Sequence, residues 1–339
     1  MLAAPSDLLY AMSLLLFHCP GSIAFLDDDV DYLQMLSLLL PNACHVRLFS
    51  RASDCLAQVQ PESAHWEAHA WAQQRIIERW RQEGTPLVPQ VLRYWSEYAH
   101  KSYEMTHACV VDYSMPDTNG LQVLAELRDW PGLRVLLTGQ ADEQVAVQAF
   151  NRALIDQFLP KQAVDVSQRL LTVLRSMASK ASTRCSQIWS STLNPAQHAQ
   201  LRVPSVMNAL QAQITAHGFV EHVVLGEPFG VLGRTAAGAV SWLQLEPVNS
   251  LEELEALAES AGATRAMLQE IRHGRQLVDL ELDLALGQHE LPRLRPAFAL
   301  GDDAALLGAV FSVDGPLVPD LHTSFDHWLA LQPARAVRD

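Results

Sequence analysis

Residues 108–120 read ACVVDYSMPDTNG. Four apolar residues, Ala108 to Val111, stop abruptly at Asp112, and a short polar loop follows to Asn119-Gly120. An apolar run this short, bounded by turn residues, suits a strand buried on both faces. Its final acid then stands at the strand's carboxyl end. The same figure recurs on both sides. Ser22 to Leu26 (SIAFL) runs into Asp27, Asp28 and Asp29. Arg134 to Leu137 (RVLL) ends at Thr138, and Ile155 to Leu159 (IDQFL) leads to Lys161. His45 to Phe49 is a fifth candidate strand. Between these runs Tyr32 to Leu40, Leu121 to Leu127, Glu143 to Arg152 and Asp165 to Met177 read as helices. Strands alternating with helices predict an α/β fold, a doubly wound five-stranded parallel sheet. Such sheets bind ligands at the carboxyl ends of their strands.

The residues at those ends define a chemistry. Phosphoryl transfer to a carboxylate needs an ionised acceptor, a divalent cation, a further positive charge and a hydroxyl or N–H for another oxygen. Asp27 and Asp28 can supply a cation site, and Asp112 adds a third carboxylate. Mg²⁺ suits them, being a hard ion that prefers oxygen and keeps several waters. Lys161 is the only Lys at a strand end, and Thr138 offers the hydroxyl.

Taken together, FLDDD at Phe25, VVDYSMPDTNG at Val110, LLTGQAD at Leu136 and DQFLPK at Asp156 resemble the receiver domain of two-component response regulators. The resemblance covers roughly Ser22 to Met177 and implies a flavodoxin-like fold. It implies that Asp112 takes a phosphoryl group from a histidine kinase or phosphotransfer protein. It further implies that Asp27, Asp28, Asp112 and the Ser114 carbonyl hold Mg²⁺, with Thr138 and Lys161 on the phosphoryl group. Phe158 falls where the family places an aromatic that swings with the Thr; the alternative is a buried strand residue. Two features depart from the pattern. The family usually has Pro after the Lys, in a cis bond, whereas here Gln162 follows. The Lys161-Gln162 bond is expected to be trans, since a cis non-proline bond costs roughly 2.5–4 kcal/mol. The second departure is the length of chain between Asp28 and Asp112. A receiver that keeps these residues but acts without phosphorylation stays open as an alternative.

That length comes from an insertion, residues 61–101. Trp66, Ala70, Ile77 and Trp80 recur at helical spacing, as do Val88, Val91, Leu92, Trp95 and Tyr98, with Gly84-Thr85-Pro86 between them. They predict a helical hairpin, either packed on itself or serving as a dimerisation or docking surface. His65 and His69 lie at i, i+4 spacing without an evident third metal ligand, so they read as surface histidines.

The expected organisation is an N-terminal helical extension (1–21, with a helix over Ser6 to Phe17) and a receiver (22–178). A linker or signalling helix (179–193) and a smaller α+β output or sensory domain (194–339) complete it. Leu170 to Trp189 is expected to carry homodimer contacts if it continues as one helix. The last domain shows a helix over Ser205 to Ala216, strands over Glu221 to Leu225, Gly230 to Arg234 and Ala239 to Leu245, and helices within Ser250 to Arg272. Leu277 to Leu286 alternates leucines with acids as a strand does, and Leu306 to Val313 reads as another strand. Gly226 to Gly233 (GEPFGVLG) lacks the Lys-Ser/Thr of a phosphate-binding loop and reads as a turn.

Composition narrows the classes. Apolar residues make up 49% and charged residues 18%, which suits a globular chain. The net charge is -14. From Asn194 onward there are 18 acids against 9 Arg and no Lys. DNA, which requires a basic face, is therefore a poor partner. Five cysteines without a CxxC fit a reducing, cytoplasmic setting. The N-terminus lacks a secretory pattern and the chain lacks a membrane-length apolar run, so no membrane insertion is expected. The output could be a binding module or an enzyme whose motif is not recognisable.

Overall fold

After a two-residue strand, β1 (Phe17–His18), the chain builds a parallel sheet from β2 (Ser22–Leu26), β3 (His45–Phe49), β4 (Thr106–Asp112), β5 (Leu133–Thr138) and β6 (Gln157–Pro160). The order is β3-β2-β4-β5-β6. Numbered among themselves these strands run 2-1-3-4-5, the flavodoxin-like order. The computed structural model describes residues 14–139, 143–162, 166–288, 292–333, 335 and 337–338. Successive strand side chains point to opposite faces. Ile23 and Phe25 accordingly pack with Leu33 and Leu36 of α1 (Val30–Leu38), and Ala24 and Leu26 with Cys55 and Val59 of α2 (Ala52–Val59). The result is a doubly wound α/β layer with a buried core on each side.

The insertion forms the expected hairpin, α3 (Glu62–Glu83) and α4 (Leu87–Glu104). Its root is tied to the sheet. Glu62 accepts the Thr106 N–H at 2.7 Å and pairs with Arg47 at 2.5 Å. A long detour therefore still delivers β4 in register beside β2 (Phe25↔Val110, Leu26↔Val111). His69 is buried rather than on the surface. Its Nε2 lies 2.7 Å from the Ser102 hydroxyl across the hairpin, while His65 is exposed. Burial, with His107 nearby, lowers the His69 pKa to about 3.

After β4 come α5 (Gly120–Glu126), α6 (Glu143–Asn151) and α7 (Val166–Ser190). The segment read as linker or signalling helix is thus helix through Ser190. Ala146 and Ala149 of α6 join the α2 face, and Leu170 and Val173 of α7 the α1 face.

The second sheet is antiparallel. Its order is β1-β7-β8-β9-β11-β10, with β7 (Phe219–Gly226), β8 (Phe229–Thr235), β9 (Val240–Pro247), β10 (Phe298–Leu300) and β11 (Leu306–Ser312). The helix Pro204–Ala216 buries Val206, Leu210 and Ile214 against Val224, Val231 and Leu243. Within this sheet Glu221 and Arg234 form a buried ion pair, with N–O 3.8 Å, and Arg234 also donates to Thr323 Oγ1 at 2.8 Å. The Gly226 to Gly233 segment is the β7–β8 turn and the start of β8, as expected.

Several expectations are corrected. The helix read over Ser6 to Phe17 lies outside the described residues up to 13. From Leu14 the chain is not helical, because Phe17 and His18 pair antiparallel with Val223 and His222. Leu277 to Leu286 is not one strand. Only Gln276–Val278 pairs, and Leu280–Leu286 is a helix whose end Gly287 closes in the left-handed conformation, at φ 68°. The chain's end does not stay with the antiparallel sheet. Val337–Arg338 adds a sixth parallel strand beside β3, and Arg335 donates to the carbonyls of Ser37, Leu40, Pro41 and Cys44.

Two units result: 19–71 with 100–183 and 326–339, and 1–18 with 72–99 and 184–325. This grouping departs from the boundaries expected from sequence, since the outer hairpin joins the antiparallel unit. There Trp189 Nε1 donates to Gln73 Oε1 at 2.6 Å. Among the described residues no helix is long and apolar enough to cross a membrane.

Candidate phosphoryl-acceptor site

The parallel unit gathers its charged residues where the strands stop. Asp27 follows β2 immediately and Asp112 is the last residue of β4. Each is carried to its place by a strand with no exposed residue, so the backbone positions are fixed by packing on both faces. Oxygens of Asp27, Asp28 and Asp112 lie within 4.8 Å of one another. Asp27 and Asp112 are buried and Asp28 is exposed. The loop into α1 is set by two acids. Asp27 Oδ1 accepts the Asp29 N–H, and Asp29 caps the helix by accepting the Tyr32 N–H, each at 3.0 Å.

Lys161 closes the cluster. Its Nζ lies 2.7 Å from Asp27 Oδ2 and 2.9 Å from Asp112 Oδ1. Its backbone N–H donates to the Thr138 carbonyl at 2.8 Å, which locks the end of β6 to the end of β5. The only cis bond among the described residues is Glu227-Pro228, so Lys161-Gln162 is trans as expected. Losing the usual Pro does not keep the amine from the carboxylates. Burial alone would push the Lys161 pKa down, but the bonds to Asp27 and Asp112 outweigh it and hold it above the ordinary value. Burial pushes Asp27 up, against the Lys161 and Asp29 donors that pull it down.

Thr138 ends β5 with its hydroxyl buried and without a partner among the described residues. A buried hydroxyl without a bond costs roughly 1–3 kcal/mol, so its place beside the acids suits an incoming oxygen. Ser114 sits two residues beyond Asp112 in a loop that Ser114 and Asn119 bridge. Asn119 caps α5 by accepting the Leu121 N–H at 2.8 Å. Gly120 has to be glycine: a Cβ there would lie 2.0 Å from the Asp112 carbonyl oxygen. Phe158 on β6 is 36% exposed, which removes the buried-strand alternative.

One residue at the site escaped the sequence reading. The Tyr32 ring lies under the Lys161 amine, 4.8 Å from Nζ to the centroid. Its hydroxyl is buried and has no partner among the described residues. Burial raises its pKa, and Asp27, Asp112 and Asp29 add to the rise against Lys161. Four residues after Asp28, one helical turn on, it lay within reach of the acids, and that spacing was the available signal.

The donor set fits a small hard cation. Three carboxylates within 4.8 Å, one of them exposed, offer oxygen ligands and leave room for waters. A single ammonium faces three acids.

No family model matches the sequence. No curated protein matches it either. Among solved structures, the response regulator LqsR of Legionella pneumophila is similar over 95% of this chain and 97% of its own, with TM-score 0.68 and 19% identity. A CheY-like receiver domain protein of Methanospirillum hungatei is similar over 48% of this chain and 98% of its own, with TM-score 0.32 and 16% identity. The likeness to LqsR covers the parallel and the antiparallel sheet alike, so it is not confined to the parallel layer.

Proposed function

We propose that this chain is a two-component response regulator whose Asp112 accepts a phosphoryl group from a histidine kinase or phosphotransfer protein. The observation that carries this reading is Asp112 at a strand end, with Lys161 Nζ at 2.9 Å and Asp27 and Asp28 beside it. As an Asp112 oxygen bonds to phosphorus, the bond from phosphorus to the donor's imidazole nitrogen breaks. Lys161 moves its charge onto a phosphoryl oxygen, and the Thr138 hydroxyl donates to another. Asp27, Asp28, Asp112 and the Ser114 carbonyl would hold Mg²⁺, which supplies the positive charge that lets two anions meet. The chain's own work is positioning and electrostatic balance.

Phosphorylation would then be relayed through dimerisation, with α7 from Leu170 to Trp189 carrying the contacts, or through ligand or partner binding by the antiparallel unit. With its excess of acids that unit is a protein or small-ligand binder rather than a DNA reader, and the setting is cytoplasmic. Beryllofluoride mimics a phosphorylated carboxylate. With Mg²⁺ it should raise the melting temperature of the wild type and leave Asp112→Asn unmoved. Equal responses of the two proteins would contradict the assignment.

A further inference from the structure

We propose that Tyr32 is a positioning residue for Lys161, holding the ammonium over its ring so that it faces Asp112. The proposal rests on Asp112 being the acceptor. Lysine is a flexible four-carbon stem with a point charge at its end, and its reach must be fixed by what surrounds it. In this chain Pro160 precedes Lys161 and Gln162 follows it, so no backbone ring stiffens the loop beyond the Lys. The side chain itself is only partly buried, 23% exposed. Three contacts define its end. Two are the carboxylates, at 2.7 and 2.9 Å. The third is the Tyr32 ring, 4.8 Å below Nζ, inside the distance at which a cation is attracted to an aromatic face.

The carboxylates cannot do this job throughout the reaction. Asp27 and Asp112 would also hold oxygens toward a bound cation, and Asp112 becomes an acyl phosphate on phosphorylation. Their pull on Lys161 changes as the reaction proceeds, whereas an aromatic face does not change its charge. Tyr32 is itself anchored. Its backbone N–H is held by the Asp29 cap, and Leu33, the next residue of α1, is buried in the core. Among the described residues the phenol oxygen has no hydrogen-bond partner that would explain a Tyr rather than a Phe for structure alone. The ring is therefore the part that acts.

The test uses the full chain in two readouts. Lys161 is one of three lysines, with Lys101 and Lys180. Reductive ¹³C-methylation keeps the charge and gives few signals, assignable by replacing each Lys. Without Mg²⁺ or phosphoryl donor, the Lys161 methyl signal should be shifted upfield by the ring. Tyr32→Leu should abolish the shift and Tyr32→Phe should rescue it. The second readout is phosphorylation by acetyl phosphate with Mg²⁺. Tyr32→Leu should slow it on the order of tenfold, the loss of a partly desolvated cation–ring contact. Tyr32→Phe should rescue the rate. An unshifted Lys161 signal in the wild type, or a Tyr32→Leu protein phosphorylated at the wild-type rate, overturns the proposal. A wild type that never accepts phosphoryl overturns the functional reading instead, and the methyl shift still decides whether the ring holds the amine.

Discussion

Two buried charge clusters, one on each sheet, are built in opposite ways. In the antiparallel sheet Glu221 faces Arg234, one acid to one base, both almost wholly buried. At the carboxyl edge of the parallel sheet three acids face one Lys161. Buried charge is costly unless it is paired and hydrogen-bonded. The excess of acids at the parallel edge fits the outside cation that the proposed function calls for.

Breaking a pair should therefore cost more than removing one of the excess acids. Arg234→Ala takes the base away from the buried Glu221, and should destabilise the protein by about 3–5 kcal/mol in chemical denaturation. Replacing both partners with apolar residues should recover most of that. If Arg234→Ala were neutral, the pairing contrast would fail.

Acid should strike both sheets alike, because each buries a histidine in its neutral form. Burial lowers the pKa of His107 on β4 and of His222 on β7 to about 4, the latter despite a bond to the Leu15 carbonyl. The unfolded chain takes up these protons at about 6.5. Stability is thus full above pH 6.5 and is lost as the pH falls toward 4, where the unfolded state binds more protons. Each histidine should account for about 3 kcal/mol over that window. Denaturation of His107→Phe at pH 7 and pH 4.5 should show a smaller acid loss than wild type. An unchanged loss would show that His107 is not held neutral.

The smallest effect on stability is expected at Asp28. It is exposed and belongs to the excess, so Asp28→Asn should change stability by no more than about 0.5 kcal/mol in the absence of divalent cations. It should also weaken the melting shift that Mg²⁺ gives the wild type. That shift corresponds to about 2.7 kcal/mol when Mg²⁺ stands at a hundred times its dissociation constant. A clear loss of stability without Mg²⁺ would mean that Asp28 is structural.

The difference between the sheets also explains what could be read beforehand. Lys161 follows the edge strand β6. Asp27, Asp112 and Thr138 each close a short apolar run, and a run buried on both faces can only be an inner strand. Its end is then fixed by sequence alone. The strands Phe17–His18 and Val337–Arg338 have two residues each, too few for any period to show. Leu280 to Leu286 alternates like a strand, yet coils into a helix closed by Gly287, because tertiary packing overrode the pattern. The joining of Gln73 to Trp189 links residues 116 apart in sequence, which no local spacing announces. His69 looked like a surface residue until Ser102, on the other arm of the hairpin, supplied its partner.

The central claim is that the unbalanced acids serve an acceptor at Asp112. Incubation with acetyl phosphate and Mg²⁺, followed by intact-mass measurement and peptide mapping, tests it most directly. The account predicts one added phosphoryl group on wild type, located at Asp112, labile to hydroxylamine and absent from Asp112→Asn. A wild type that gains no phosphoryl group, or an Asp112→Asn protein that gains it equally, would contradict it.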